Sequence, residues 1–172
     1  LVYYHVFDLD LRYATCAAQC AASANWTAIT PLATDDFLGP YGSLAVAGDG
    51  RLHVSYSNGT GGSLGYATCT GSCTDVLNWE EVTVDATDAV GTHNSLEVGG
   101  DGRVHVTYYD STNDDLKYAT CAVDCAQSAN WQSAAVDQGG YVGVASSLSL
   151  DTDGSVLATY YDATNDDLKY IE

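Results

Sequence analysis

The chain has 172 residues, 46% of them hydrophobic and 10% aromatic, which is enough apolar side chain to build a core in one ordinary domain or a short repeat array. Five Lys plus Arg stand against 23 Asp plus Glu, for a net charge of −18. That balance repels a phosphate backbone and an anionic membrane surface alike, so neither nucleic acid nor membrane insertion is expected. No apolar run approaches the roughly 18 residues of a membrane span.

There is no Met, and the sequence opens at Leu1 without the basic-then-apolar layout of a signal peptide, so it reads as a processed or excised segment. Six Cys in three evenly spaced pairs predict an oxidising, extracellular compartment.

Laid against itself, the chain repeats. Tyr-Ala-Thr-Cys occurs at Tyr13 to Cys16, Tyr66 to Cys69 and Tyr118 to Cys121, and Asn-Trp follows at Asn25-Trp26, Asn78-Trp79 and Asn130-Trp131. Both series are spaced by 53 and then 52 residues. Ser-Leu recurs at Ser43, Ser95 and Ser147, each followed by Asp-Gly at Asp49-Gly50, Asp101-Gly102 and Asp153-Gly154. Matches at so many fixed offsets define a unit of about 52 residues. The expected division is a partial repeat over 1–40, full repeats over 41–92 and 93–144, and a partial repeat over 145–172.

In chain order, the first copy opens on Leu1 to Phe7, an uncharged segment of high β-propensity if His5 is neutral. The short Asp8-Leu9-Asp10 loop follows, then the strand that ends at Cys16. The segment after Trp26 carries Pro31, and its counterpart in the second copy carries Glu80 and Glu81. Proline and charge both mark a sheet edge. The third copy is the clearest. A small-residue strand a (Leu96, Val98, Gly99) meets the Asp101-Gly102 hairpin turn. Strand b, Val104 to Tyr109, places Val104, Val106 and Tyr108 on one face and His105, Thr107 and Tyr109 on the other, and both faces read as buried. Strand c, Leu116 to Thr120, and strand d, Trp131 to Val136, complete the unit. No window has helical spacing. The fold expected is all-β, a propeller-like array of four-stranded antiparallel blades, about 3.5 to 4 repeats long and clipped by disulfides.

Units reading Ser-Leu, Asp-Gly, His-Val-x-Tyr-Tyr-Asp and Asp-Leu-Lys-Tyr-Ala-Thr-Cys resemble the propeller-type repeats of large secreted bacterial proteins. The resemblance covers nearly the whole chain. It implies that fold and an extracellular setting, and it transfers no catalytic residue.

The pairs Cys16/Cys20, Cys69/Cys73 and Cys121/Cys125 have two readings. Each offers two thiolates to zinc, but no further His or Cys lies at matching spacing within a unit to complete a tetrahedral set. Disulfides are therefore expected, each stabilising by no more than about 2 kcal/mol because the loop is short. The b–c loops gather hard oxygen ligands, Asp110, Asn113 and Asp115 in one copy and Asp162, Asn165 and Asp167 in the next, in a pattern that suits calcium. The bland alternative is a solvated Asn/Asp turn, since the corresponding Ser57 to Ser63 loop has no acid. Calcium is thus the one cofactor these patterns admit.

His53 and His105 share one strand position, with Tyr3 taken as its counterpart in the first copy and Leu157 in the fourth. Arg51 and Arg103 share one turn position. Residues placed by a repeat read as structural, so the chain is expected to be non-enzymatic. Two carboxylates placed as a glycosidase pair keep a minor share. Tyr41, His93 and Asn94, in the connection between strands d and a, are candidates for contacting a glycan or peptide. Asn25 and Asn58 match the glycosylation pattern.

Aligned to the repeat, the chain runs b-c-d, twice a-b-c-d, then a-b-c. The expectation is a structural protein that partners with itself in a ring or filament through the incomplete sheets. Its assembly edges would be Leu1, Val2, Tyr3, Tyr4, His5, Val6 and Phe7 at one side, and Leu168 and Tyr170 at the other. The alternative is a lectin-like, carbohydrate-binding module.

Overall fold

The computed structural model of the chain describes residues 1–32, 37–60 and 62–172. They form 14 strands and three single turns of 3-10 helix. The first sheet holds β1 (Val2–His5), β2 (Asp10–Thr15) and β3 (Thr27–Ile29). The second holds β4 (Leu38–Val46), β5 (Leu52–Asn58), β6 (Ser63–Cys69) and β7 (Trp79–Asp85). The third holds β8 (Val90–Val98), β9 (Val104–Asp110), β10 (Asp115–Cys121) and β11 (Gln132–Asp137). The fourth holds β12 (Val142–Leu150), β13 (Val156–Asp162) and β14 (Asp167–Ile171). Within each sheet, neighbours in sequence pair antiparallel.

The hairpin turns form as their composition requires. Gly50, Gly102 and Gly154 take φ of 85°, 82° and 90°, which costs a residue without Cβ nothing. The preceding aspartates brace the turns, with Asp49, Asp101 and Asp153 accepting from the amides of Arg51, Arg103 and Ser155 at 2.9, 3.0 and 2.9 Å. β5 and β9 are buried along nearly their whole length on both faces, as expected for strands sandwiched inside their own sheet and between neighbouring sheets.

Three expectations change. The small-residue strand starts well before Ser95, at Val90, and β4 and β12 start equally early. Tyr41, His93 and Asn94 therefore lie inside strands and not in connecting loops. The reason is a bulge: the register shifts between Thr92 and Ser95 and between Val144 and Ser147, with His93 and Ala145 at φ of 52° and 54°. An extra residue in the left-handed region lets the strand continue where regular alternation would end. Second, Val2 pairs with Tyr13 and Ser55 with Tyr66, so Tyr3 is the counterpart of Tyr56 and not of His53. Third, Pro31 falls just beyond β3.

Successive sheets pack face to face. The first strand of each later sheet packs on the preceding sheet, β4 lying against β1 and β2, β8 against β4 to β6, and β12 against β8 to β10. Glycines permit this packing. A Cβ on Gly91 would lie 2.7 Å from the Ser63 carbonyl oxygen and one on Gly143 2.8 Å from the Leu116 Cα. β4, β8 and β12 are also tied side by side, since the amides of Leu96 and Leu148 donate to the hydroxyls of Ser43 and Ser95, each at 3.0 Å.

The core is therefore divided among the junctions. Between the first two sheets it includes Leu11, Tyr13, Leu38, Val54 and Trp79, and between the second and third Tyr66, Val104, Val106, Ala119 and Trp131. Between the third and fourth the fully buried cluster comprises only Leu116, Val142 and Tyr160, with Ile171 packed partly against it.

Candidate functional site

Each cysteine pair forms a disulfide, Cys16–Cys20, Cys69–Cys73 and Cys121–Cys125, and no free cysteine remains to bind zinc. These bridges place the chain in an oxidising environment. Each clipped loop has one geometric output. The indole N–H groups of Trp26, Trp79 and Trp131 donate to the carbonyls of Cys20, Cys73 and Cys125 at 2.9, 3.1 and 2.8 Å. The Asn before each Trp braces the loop, with Asn78 Nδ2 donating to the Ser72 carbonyl at 2.9 Å and Asn130 Nδ2 to that of Asp124 at 3.2 Å. Asn25 belongs to this series, its Nδ2 donating to the Ala18 and Gln19 carbonyls. The amide a glycan would modify is thus engaged in the loop. Asn58 closes β5, and its Oδ1 accepts from the Thr60 amide at 3.1 Å.

Held in this way, the second and third indoles reach the preceding sheet. Trp79 packs on Tyr13 with ring centroids 5.5 Å apart, and Trp131 on Tyr66 at 5.0 Å. Tyr66 in turn lies 2.6 Å from His53 Nδ1, and Tyr118 stands in the same relation to His105, also at 2.6 Å. Burial pushes the His53 imidazole down to about 4, with Arg51 adding to the effect. Burial also lowers His105, and it raises the Tyr66 hydroxyl to about 12. His53 and Tyr66 open with Arg51 and Asp101 onto a cleft of about 550 Å³ between the hairpin turns. The repeat builds a second such cleft, of about 370 Å³, at Arg103 and His105.

A clasp that sequence reasoning missed joins the later sheets. The Tyr108 hydroxyl donates to Asp85 Oδ2 at 2.7 Å, and Lys117 Nζ reaches the same oxygen at 2.6 Å. Tyr160, Lys169 and Asp137 repeat it, Tyr160 donating at 2.6 Å. Burial alone would raise the Asp85 carboxyl, but Lys117, the Thr87 amide and the Tyr108 hydroxyl together hold it below the ordinary value. Fixed spacing was the available signal, since Asp85/Asp137 and Lys117/Lys169 both recur one unit apart. In the second sheet the Lys position is Gly65, where a Cβ would sit 2.3 Å from the Tyr56 ring, and the Tyr56 hydroxyl donates to Glu81 at 3.2 Å.

The acidic b–c loops are closed turns. Asp110 Oδ1 accepts from the amides of Thr112 and Asn113 at 3.0 and 3.1 Å, and its Oδ2 from Asn113 Nδ2 at 3.0 Å. Asp162 repeats this with Thr164 and Asn165. Asn113 and Asn165 donate their NH₂ groups to these carboxylates. Asp115 accepts from Gln138 at 3.1 Å, and Asp167 is exposed. Among the described residues, no group of three or more His, Cys, Asp or Glu side chains converges as a metal site.

Tyr41, His93 and Asn94 are brought together. The rings of Tyr41 and His93 lie 4.3 Å apart, His93 meets Tyr109 at 6.2 Å, and Tyr109 meets Tyr141 at 5.6 Å. Asn94 Nδ2 donates to the carbonyls of Tyr41 and Gly91 at 2.7 and 2.8 Å, and its Oδ1 accepts from Ser55 at 2.6 Å. Asn94 is thus a strut beneath an aromatic row.

The first and last sheets each present an edge. Among the described residues, β1 pairs with β2 alone and β14 with β13 alone. On β1, Val2 packs into the first junction and Tyr4 meets Phe37 edge-on at 5.6 Å, while Tyr3 is more exposed. His5 engages Asp8 at 3.0 Å. Leu1, Val6, Phe7, Leu168 and Tyr170 are exposed, Phe7 by 89% and Leu168 by 79%.

No family model and no curated protein matches this sequence. Among solved structures, the chain is similar to the crystal structure of an alpha-L-arabinofuranosidase from Lactobacillus brevis, with a TM-score of 0.56 at 16% identity. The likeness covers 93% of this chain and 57% of that one, and at this identity it shows a shared fold.

Proposed function

We propose that this chain is a non-enzymatic structural module of a secreted, propeller-type array, with its sheets serving as blades that are completed by strand addition. One observation carries the reading: two sheets have four strands and two have three, and each three-stranded sheet leaves a different edge bare. β1 lacks an inner neighbour and β14 an outer one. A bare edge flanked by exposed apolar side chains is a template for another strand. Further polypeptide flanking residues 1–172 would serve these edges in cis, and a second copy serves them in trans, head to tail, as a ring or filament.

The non-enzymatic part rests on how the polar groups are used. His53, His105, Asp85, Asp110, Asp137 and Asp162 each make hydrogen bonds inside the repeat frame, and several recur with the same partner types one unit on. Sedimentation velocity of residues 1–172 over a wide concentration range tests the reading. Mass that rises with concentration supports completion in trans by a second copy, and a monomer at every concentration refutes it.

A second reading has its own observation. The row of Tyr41, His93, Tyr109 and Tyr141 offers aromatic surface of the kind that stacks on sugar rings, and the fold is shared with an arabinofuranosidase. A glycan-array hit abolished by Tyr41→Ala would select a carbohydrate-binding module.

A further inference from the structure

The cleft of about 550 Å³ at Arg51 and His53 lies between the second and third sheets. Both sheets are four-stranded, so the cleft depends on neither bare edge. The turn between β4 and β5, with Tyr66 and Thr68 of β6, forms one side, and the turn between β8 and β9, with the disulfide loop at Val123, forms the other. Through Arg51 and Thr68 the cleft runs on into a hollow of about 390 Å³ at Thr70, Leu77, Asn78 and Glu80. Sites for small organic ligands occupy roughly 300 to 1,000 Å³, and two joined hollows of this size suit an elongated one.

The polar groups that line it are not consumed by the frame. The chain has five Lys plus Arg. Arg12, Lys117 and Lys169 pair with Asp8, Asp85 and Asp137, and Arg103 lies 3.9 Å from Asp101. Arg51 alone makes no ion pair among the described residues, and it stands where the two hollows meet. His53 is 5% exposed and its Nδ1 is taken by the Tyr66 hydroxyl. A neutral imidazole that accepts at Nδ1 carries its proton on Nε2, and no described residue accepts from that atom. Asp49 and Asp101 commit Oδ1 to the turn amides of Arg51 and Arg103. Their second oxygens and the Asp124 carboxylate supply acceptors at the rim, beside the exposed apolar surface of Val123.

Charge decides the class of ligand. Asp49, Asp101, Asp124 and Glu80 outnumber Arg51 around the two hollows, and the whole chain carries −18, so an anion is repelled. A cation would leave the donors of Arg51 and His53 unmatched. Hydroxyl groups both donate and accept, and they satisfy guanidinium, imidazole and carboxylates together without adding charge. We infer that this groove is a binding site for an uncharged oligosaccharide, with hydroxyls on Arg51, His53 and Asp101 and the C–H faces of its rings on Val123 and Leu77. The inference goes beyond both readings above. Tyr41 lies near the start of β4 and the cleft beyond its end, so the site is separate from the aromatic row, and it does not require strand completion.

The test is isothermal titration calorimetry of the 172-residue chain with linear oligosaccharides of glucose, mannose, xylose and arabinose, and with oligogalacturonates as the anionic comparison. Saturable binding of at least one neutral oligosaccharide is expected. Arg51→Ala should weaken it about tenfold or more, the loss of a charge-assisted hydrogen bond, while Tyr41→Ala leaves it unchanged. Thermal melts establish that the variants fold, and Val123→Asp, at an exposed loop tip, gives a second substitution in the groove that should also weaken binding. Equal affinity of the parent, Arg51→Ala and Val123→Asp would overturn the site, and loss with Tyr41→Ala alone would assign the sugar to the aromatic row. No binding of any neutral oligosaccharide, or binding of oligogalacturonates only, would overturn it as well. None of these outcomes bears on strand completion, which the sedimentation result decides separately.

Discussion

The ring of Trp131 meets that of Tyr66 at 62° with centroids 5.0 Å apart, although the two residues belong to different sheets. An edge-on aromatic pair of this kind adds about 0.5 to 1.5 kcal/mol to the gain from burying the indole. It also explains the neighbouring disulfide, whose loop presents the carbonyl that orients the indole.

Trp131→Ala should therefore lower the free energy of unfolding by about 3 to 5 kcal/mol. Trp26→Ala should cost under about 1 kcal/mol, because that indole is 37% exposed and meets no tyrosine of a preceding sheet among the described residues. Urea denaturation of both variants checks the contrast.

Lys117 and Asp85 form a mostly buried pair between sheets. Lys117→Met leaves the Asp85 carboxylate without its cation, which should cost about 3 kcal/mol near neutral pH. The Asp85 carboxyl is held below its ordinary 3.8 in the folded protein. The pair's contribution is therefore fully present above about pH 4 and is lost as the pH falls through the folded value. The cost of Lys117→Met should shrink over that acid range in denaturation curves taken at several pH values.

His53 gives a second pH dependence at a higher range. Its folded value of about 4 lies below the ordinary 6.5, so the unfolded chain takes up a proton between those values that the folded chain refuses. Stability from this residue is complete above about pH 6.5 and declines as the pH falls toward 4. His53→Gln should flatten that part of the stability profile, and His53→Gln with His105→Gln should flatten it further.

Gly143 has φ of 101°, and a Cβ there would press on the Leu116 backbone. Gly143→Ala should destabilise by more than the roughly 1 kcal/mol that Gly/Ala differences usually carry, because β12 must lift away from β10. Gly154→Ala, in an open hairpin turn with nothing within 4 Å, should cost less. Thermal melts of the two variants give the comparison.

The repeat made most of the strand order legible from sequence, because Asp-Gly turns and alternating apolar residues are local signals. Contacts between units were harder to see. Asp85 and Tyr108 are 23 residues apart in the chain, and neither is unusual in its own window. The Trp131–Tyr66 contact is likewise carried by packing between sheets. The bulges at His93 and Ala145 were hidden for a different reason: a non-glycine residue at positive φ carries no mark in the sequence, so Tyr41, His93 and Asn94 read as loop residues. The acidic loops allowed two readings, a calcium ligand set and a solvated Asn/Asp turn, because composition does not reveal which way an asparagine amide points.

Hydrogen exchange at the outward-facing amides of β1 and β14 tests the central claim most directly, measured on residues 1–172 at low and at high protein concentration. Strand completion in trans by a second copy predicts fast exchange at these amides in dilute solution and protection that grows with concentration, while the amides of β5 and β9 remain protected throughout. Edge amides that exchange equally fast at both concentrations, or that are already protected in the dilute monomer, would contradict it.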